Sequence, residues 1–169
     1  MAGESQVQFP ESGHDHAACV ADALERASEL CARRGARLTA IRRRVLELVW
    51  GSHAPVGAYD ILARMDPGGR RGGAPATVYR ALDFLIAQGF VHRLSSVNAF
   101  VGCGVPDNPH MAQFLICRGC GAVAEMDEPR IEGAIGEAAA RAGFEVETPV
   151  IEVQGRCPAC REKAQADAR

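Results

Sequence analysis

The sequence contains no uninterrupted apolar run near the ~20 residues that a helix needs to cross a bilayer. Its start, MAGESQVQFPESGHDH, lacks a basic stretch followed by an apolar one, so no secretory signal is expected and the chain should be cytoplasmic. Lysine is almost missing: Lys163 is the only one among 19 basic residues. A GC-rich coding sequence suffices to explain that bias. There is no internal repeat. There is also no His-x-Glu, and neither Cys-x-x-Cys pair is preceded by proline, since Ile116 and Arg156 stand there. Both features belong to zinc deaminases, and their absence argues against that enzyme class.

What is present suits one ordinary domain or two small ones. At 169 residues with 47% apolar residues the chain can bury a real core, which excludes wholesale disorder. The net charge of −2 argues, taken alone, against nucleic acid. It hides a gradient. Residues 20–90 carry 11 basic and 7 acidic side chains, whereas residues 91–169 carry 8 and 11. Two parts with different partners are expected.

The hydrophobic pattern is helical over 17–34, where Val20, Leu24, Ala27 and Cys31 share a face and Gly35 supplies a stop. Thr39 caps a second helix with Ile41, Val45, Leu48 and Val49, ending near Gly51 beside a packed Trp50. A short third helix covers about 57–65, and Pro67–Gly73 reads as a loop. A fourth helix begins at Pro75 and ends near Gly89, with Val78, Leu82, Leu85 and Ile86 facing inward. Two apolar runs, 90–94 and 99–101, joined by Ser95–Asn98, make a hairpin. This order predicts a winged helix-turn-helix over 16–103, after a disordered tail over 1–15. Residues 104–110 read as a hinge linker. Residues 111–163 then form a small α/β domain, with strands over 111–116 and 122–126, a helix over 129–142 and a strand over 144–153, before a charged tail over 164–169. The fold class is therefore α+β. So small a second domain needs metal, a partner subunit or both.

Seven cysteines is an odd number, and a reducing cytosol disfavours disulfides. Four of them form two Cys-x-x-Cys pairs, Cys117/Cys120 and Cys157/Cys160, separated by 36 residues. Four thiolates close a tetrahedral shell and leave no open position, so a structural zinc site is expected. A second, looser group is His92, Cys103, His110 and Glu125, all bordering the hinge. Two imidazoles, a thiolate and a carboxylate could complete another tetrahedron. Singly, each also reads as a surface wing histidine, a small core residue, a loop residue and a solvated strand charge. Cys19 and Cys31 read as helix-face packing, and His14 and His16 as part of a solvated tail.

The run Ala76-Thr-Val-Tyr-Arg-Ala-Leu82, then Gly89-Phe-Val-His92 and the double Cys-x-x-Cys, resembles the ferric uptake regulator family over roughly residues 19–162. Arg37-Leu-Thr39, Ala58-Tyr-Asp60 and Cys117-x-x-Cys-Gly-Ala-Val-x-Glu125 are most similar to its zinc uptake regulator branch. The resemblance implies a homodimeric, non-enzymatic repressor that occupies operator DNA of zinc-uptake genes when zinc is bound. It implies two Zn2+ per subunit: structural at Cys117, Cys120, Cys157 and Cys160, regulatory at His92, Cys103, His110 and Glu125. No membrane and no small organic substrate is implied. Tyr59 and Arg80 match base-contacting positions. The alternative within the family is an iron or peroxide sensor, but a Cys103 thiolate favours zinc over those harder cations. The sequence departs from the family in Ala40 and Ile41, in the glycine-rich loop 68–73, and in a linker without a histidine run. Arg80 is the best-placed guanine reader, with Thr77 beside it and Tyr79 readable either as a DNA contact or as packing, and Arg37 and Arg42 are expected on DNA. Arg33, Arg34, Arg43, Arg44, Arg70 and Arg71 are further phosphate candidates.

Overall fold

The computed structural model describes Phe9 and residues 16–52, 54–66, 75–107, 110–147 and 149–166. The tail expected over 1–15, apart from Phe9, and the loop bearing Arg70 and Arg71 lie outside the described residues. The chain divides into two compact units, Glu11–Pro109 and His110–Arg169. Both contain helix and sheet, as the α+β class requires.

The first unit contains α1 (His16–Arg33), α2 (Ala40–Trp50), α3 (Ala58–Met65), α4 (Pro75–Ala87), β1 (Val91–Leu94) and β2 (Ala99–Gly102). Thr39 caps α2 through its hydroxyl, which accepts the Arg42 N–H. Gly35, at φ +65°, ends α1 in a left-handed turn that glycine adopts without strain. One core joins all four helices to the hairpin: Leu24, Ala27, Leu30 and Cys31 meet Val45, Leu46, Val49, Ile61, Val78, Leu82, Leu85 and Phe90. Burying each of the larger side chains contributes about 1.5–3 kcal/mol. Ile86 departs from the sequence reading and is 37% exposed. Val78, Ala81, Leu82 and Leu85 already fill the inward stripe, and Ile86 lies about 100° past Leu85 around the helix.

β1 and β2 pair antiparallel, with His92 opposite Val101. Ser95–Val97 form one 3-10 turn, and Asn98 closes the hairpin at φ 48°. Val56 exchanges two 2.9 Å backbone hydrogen bonds with Phe100, adding a third short segment to the wing. A single bridging residue between two helices carries no periodicity and leaves no signal in the sequence.

The second unit contains β3 (Ala112–Cys117), β4 (Val123–Met126), α5 (Pro129–Arg141), β5 (Val150–Gly155) and α6 (Pro158–Ala166). The sheet order is β4-β3-β5, with β3 antiparallel to β4 and parallel to β5. The parallel pairing requires the crossover that α5 supplies. Two expectations fail here. The strand expected over 144–153 is a strand only from Val150, and Phe144 is 67% exposed. Gly143 at φ +67° ends α5 in a turn while the Phe144 N–H bonds the Ala139 carbonyl, so 144–147 run on as irregular chain and not as a paired strand. The residues after Cys157, expected as a charged tail from 164, are helical through Ala166. No described helix is long and apolar enough to cross a membrane.

Candidate metal centre and nucleic-acid interface

The pairing of β3 with β5 builds the four-cysteine cluster. Cys117 lies opposite Gly155, so both strands deliver their Cys-x-x-Cys pairs at one end of the sheet. Gly121, at φ +76°, turns the first pair back into β4, and Cys160 sits in the first turn of α6. All four sulfurs lie within 4.8 Å of one another, and Cys120 Sγ is 3.8 Å from Cys157 Sγ. Tetrahedral zinc with 2.3 Å bonds to sulfur needs sulfurs about 3.8 Å apart, so this donor set fits that ion. Cys117 Sγ accepts the backbone N–H of Gly119 and of Cys157, each at 3.3 Å. Backbone N–H groups around this sulfur, Cys157 first and Cys120 next, lower the Cys117 pKa to about 6. Cys160 is pushed up to about 12, chiefly because its S–H bonds Cys157, then Cys120 and Cys117. A methyl at Gly119 would stand 2.9 Å from Cys160 Sγ, so the turn tolerates only glycine if the cluster keeps its shape.

The hinge set falls into two pairs, one in each unit. In the first unit His92 is on β1 and Cys103 directly follows β2; their ligand atoms lie within 4.8 Å. Cys103 is buried, and its N–H bonds the Phe90 carbonyl at 3.0 Å. In the second unit His110 Nε2 and Glu125 Oε1 are 2.7 Å apart, and both side chains are largely buried. The first pair offers a soft sulfur and a nitrogen, the second a nitrogen and an oxygen, all of them donor types that zinc accepts.

On the DNA-facing candidates the structure is specific. Tyr59, on α3, is 75% exposed, and Tyr79 projects into solvent instead of packing inward. Thr77 and Arg80 are in the first turns of α4, where Arg80 Nε donates to the Ala76 carbonyl at 3.2 Å. Arg37 is exposed. Arg42 is engaged within the unit: its guanidinium lies 3.5 Å over the Phe84 ring and donates to the Arg37 carbonyl at 2.6 Å. Arg44 pairs with Glu47. Arg33 and Arg34 are turned to other work. Arg33 pairs with Asp107 at 2.9 Å, and Arg34 donates to the carbonyls of Gln88 and Pro106 at 2.6 and 3.0 Å. Their basic run looked the same in sequence as any phosphate-binding stripe.

Cys31 is core, as its helix face implied. Cys19 lines a cavity of about 200 Å³ with Arg26, Trp50, Phe90, Cys103 and Pro106.

A winged helix-turn-helix carried on the same chain as a thiolate cluster built for a tetrahedral cation is the make-up of a metal-binding transcription regulator. Comparison with known proteins gives the class its name. The Ferric uptake regulator family model matches residues 33–154, and the chain belongs to that family. It is 41% identical over 143 residues to the zinc uptake regulation protein of Escherichia coli (strain K12), covering 82% of this chain and 81% of that one. Among solved structures it is similar to a zinc uptake regulator complexed with zinc and DNA, at TM-score 0.81 and 39% identity, covering 86% of this chain and 97% of that one. It is also similar to the crystal structure of holo XcZur, at TM-score 0.76 and 40% identity, covering 83% and 98%.

Proposed function

We propose that this protein is a zinc-responsive repressor that binds operator DNA as a homodimer and controls zinc-uptake genes from the cytoplasm. The observation that carries this reading is the split ligand set. His92 and Cys103 belong to the DNA-binding unit, whereas His110 and Glu125 belong to the other unit. Bound by all four, zinc would cross-link the two units. A thiolate and a carboxylate would balance its charge, and the thiolate selects zinc over Fe2+ or Mn2+. Relatives named for zinc uptake regulation, one of them solved with zinc and DNA, support this choice.

Each residue then has a task. Cys117, Cys120, Cys157 and Cys160 hold a second, structural zinc and leave no position for a reacting water, which fits a non-enzymatic protein. Arg80 reads guanine from α4, with Tyr59, Thr77 and Tyr79 on base methyls or phosphates, and Arg37 and Arg42 beside the backbone. The homodimer forms through the second unit. There α5 has no buried residue, and β5 is a sheet edge whose Val150 and Val153 are exposed. An uncovered edge of this kind invites pairing. The dimer would then present two recognition helices to two half-sites on one face of a duplex.

Substituting Cys103 by Ser tests the proposal. The variant should keep its structural zinc and its dimer but lose zinc-dependent operator binding. Normal zinc-dependent binding by Cys103→Ser would sink the assignment of the switch.

A further inference from the structure

The chain leaving β2 is held on the DNA-binding unit by three arginines: Arg26 in the middle of α1, Arg33 at its end and Arg34 just past it. Arg26 donates to the Gly104 carbonyl at 3.1 Å, and Arg33 pairs with Asp107. Arg34, directly after α1, reaches furthest. One of its terminal nitrogens donates to the Pro106 carbonyl, the other to the carbonyl of Gln88, and the guanidinium lies 5.8 Å from the centre of the Phe90 ring. Gln88 is the first residue past α4, and its own N–H still bonds back to Phe84. Cys103 is tied to the same place, because its N–H bonds the Phe90 carbonyl. Arg34 itself is anchored: its N–H bonds the Leu30 carbonyl, and Leu30 and Cys31 are core.

One guanidinium therefore bridges the end of the helix that carries Arg80 and the loop that carries Cys103. We infer that Arg34 is the positioning residue that couples the metal-ligand loop to the DNA-reading helix α4. A shift of residues 103–106 on metal binding cannot occur without straining this fork or moving the end of α4. Arginine suits the task because its donors point in fixed, separate directions and reach two carbonyls at once; a lysine ammonium has no such fork. The inference rests on the proposed zinc switch, since it concerns how that switch is transmitted.

The test compares wild type with Arg34→Ala and Arg34→Lys. Operator affinity is measured by fluorescence anisotropy with and without zinc, across a salt series. Zinc affinity without DNA is measured by competition with a chromophoric chelator. Both variants should bind two zinc ions per subunit within threefold of the wild-type affinity, and bind DNA without zinc as wild type does. Their zinc-dependent gain in operator affinity should fall at least tenfold, which is about 1.4 kcal/mol. Linkage then requires that operator DNA tighten zinc binding by an equally reduced factor. Arg34→Lys keeps the positive charge and the long stem, so it reports even if the alanine variant folds poorly. A full zinc-dependent gain in the lysine variant overturns the inference. So does a loss equal with and without zinc and accompanied by a salt slope lower by about one, because that marks a phosphate contact. A wild-type protein without any zinc-dependent gain would instead overturn the regulator reading itself.

Discussion

Placing a methyl on Gly102 should damage the DNA-binding unit through one identifiable contact. An ideal Cβ there would stand 2.3 Å from both Cε2 and Nε1 of Trp50 and 2.8 Å from Cζ2. Ordinary carbon contacts begin near about 3.5 Å, so the overlap exceeds an ångström and falls on a rigid ring. Trp50 ends α2 and is half-buried against the core, so relieving the overlap requires displacing a packed ring. Overpacking of this kind costs about 1–3 kcal/mol. For a unit of this size, each kcal/mol lowers Tm by about 4–8 °C. Gly102 also precedes Cys103, so zinc affinity at the hinge site should weaken with stability. Trp50 is the only tryptophan of the chain, which makes its emission a direct reporter. The assay is urea denaturation of wild type and Gly102→Ala, followed by Trp50 fluorescence and by far-UV circular dichroism. A double-mutant cycle with Trp50→Leu isolates the contact, because Gly102→Ala should be nearly neutral once the indole is gone. An equal cost of Gly102→Ala in both backgrounds would show that the indole contact is not the cause.

Other perturbations separate the sites. Cys157→Ser should strip the structural zinc and unfold or dissociate the protein, read by metal content and gel filtration. Leu85→Ala, at a fully buried core position, should cost about 2–5 kcal/mol in urea denaturation without altering metal stoichiometry. Arg80→Ala should lose about 1–3 kcal/mol of discrimination at a single operator base, measured with a panel of base-substituted duplexes. Metal-free Cys117 ionises near pH 6, but Cys160 holds its proton to about 12. Zinc binding at this cluster must therefore displace the Cys160 proton, so apparent affinity falls as pH is lowered through neutrality and further as Cys117 protonates near 6. Calorimetry in buffers of different ionisation enthalpy should register proton release at pH 7; none would refute the assignment of these thiols as ligands.

Long periodic segments were the legible part of this protein. The faces of α1, α2 and α4 follow from residues such as Leu24, Val45 and Leu82, whose spacing leaves only one way to bury them. The four-cysteine cluster was legible because two-residue spacing constrains both thiols of a pair to one point. Features made by tertiary contact were not. Val56 joins the wing through one bridge, residues 164–166 at the end of α6 looked like tail because no apolar stripe runs through them, and the run 144–147 alternates without a strand to pair with. Arg33 and Arg34 show the same limit at the site. A basic stripe does not reveal which guanidinium faces phosphate and which holds a loop carbonyl, because that depends on a partner some 70 residues away in sequence.

Zinc control of DNA binding is read from operator affinity measured against buffered free Zn2+, Fe2+ and Mn2+. Zinc should drive operator binding at a lower free concentration than either other metal, and Cys103→Ser should abolish the zinc response. A response to iron at lower free concentration than to zinc would contradict zinc control.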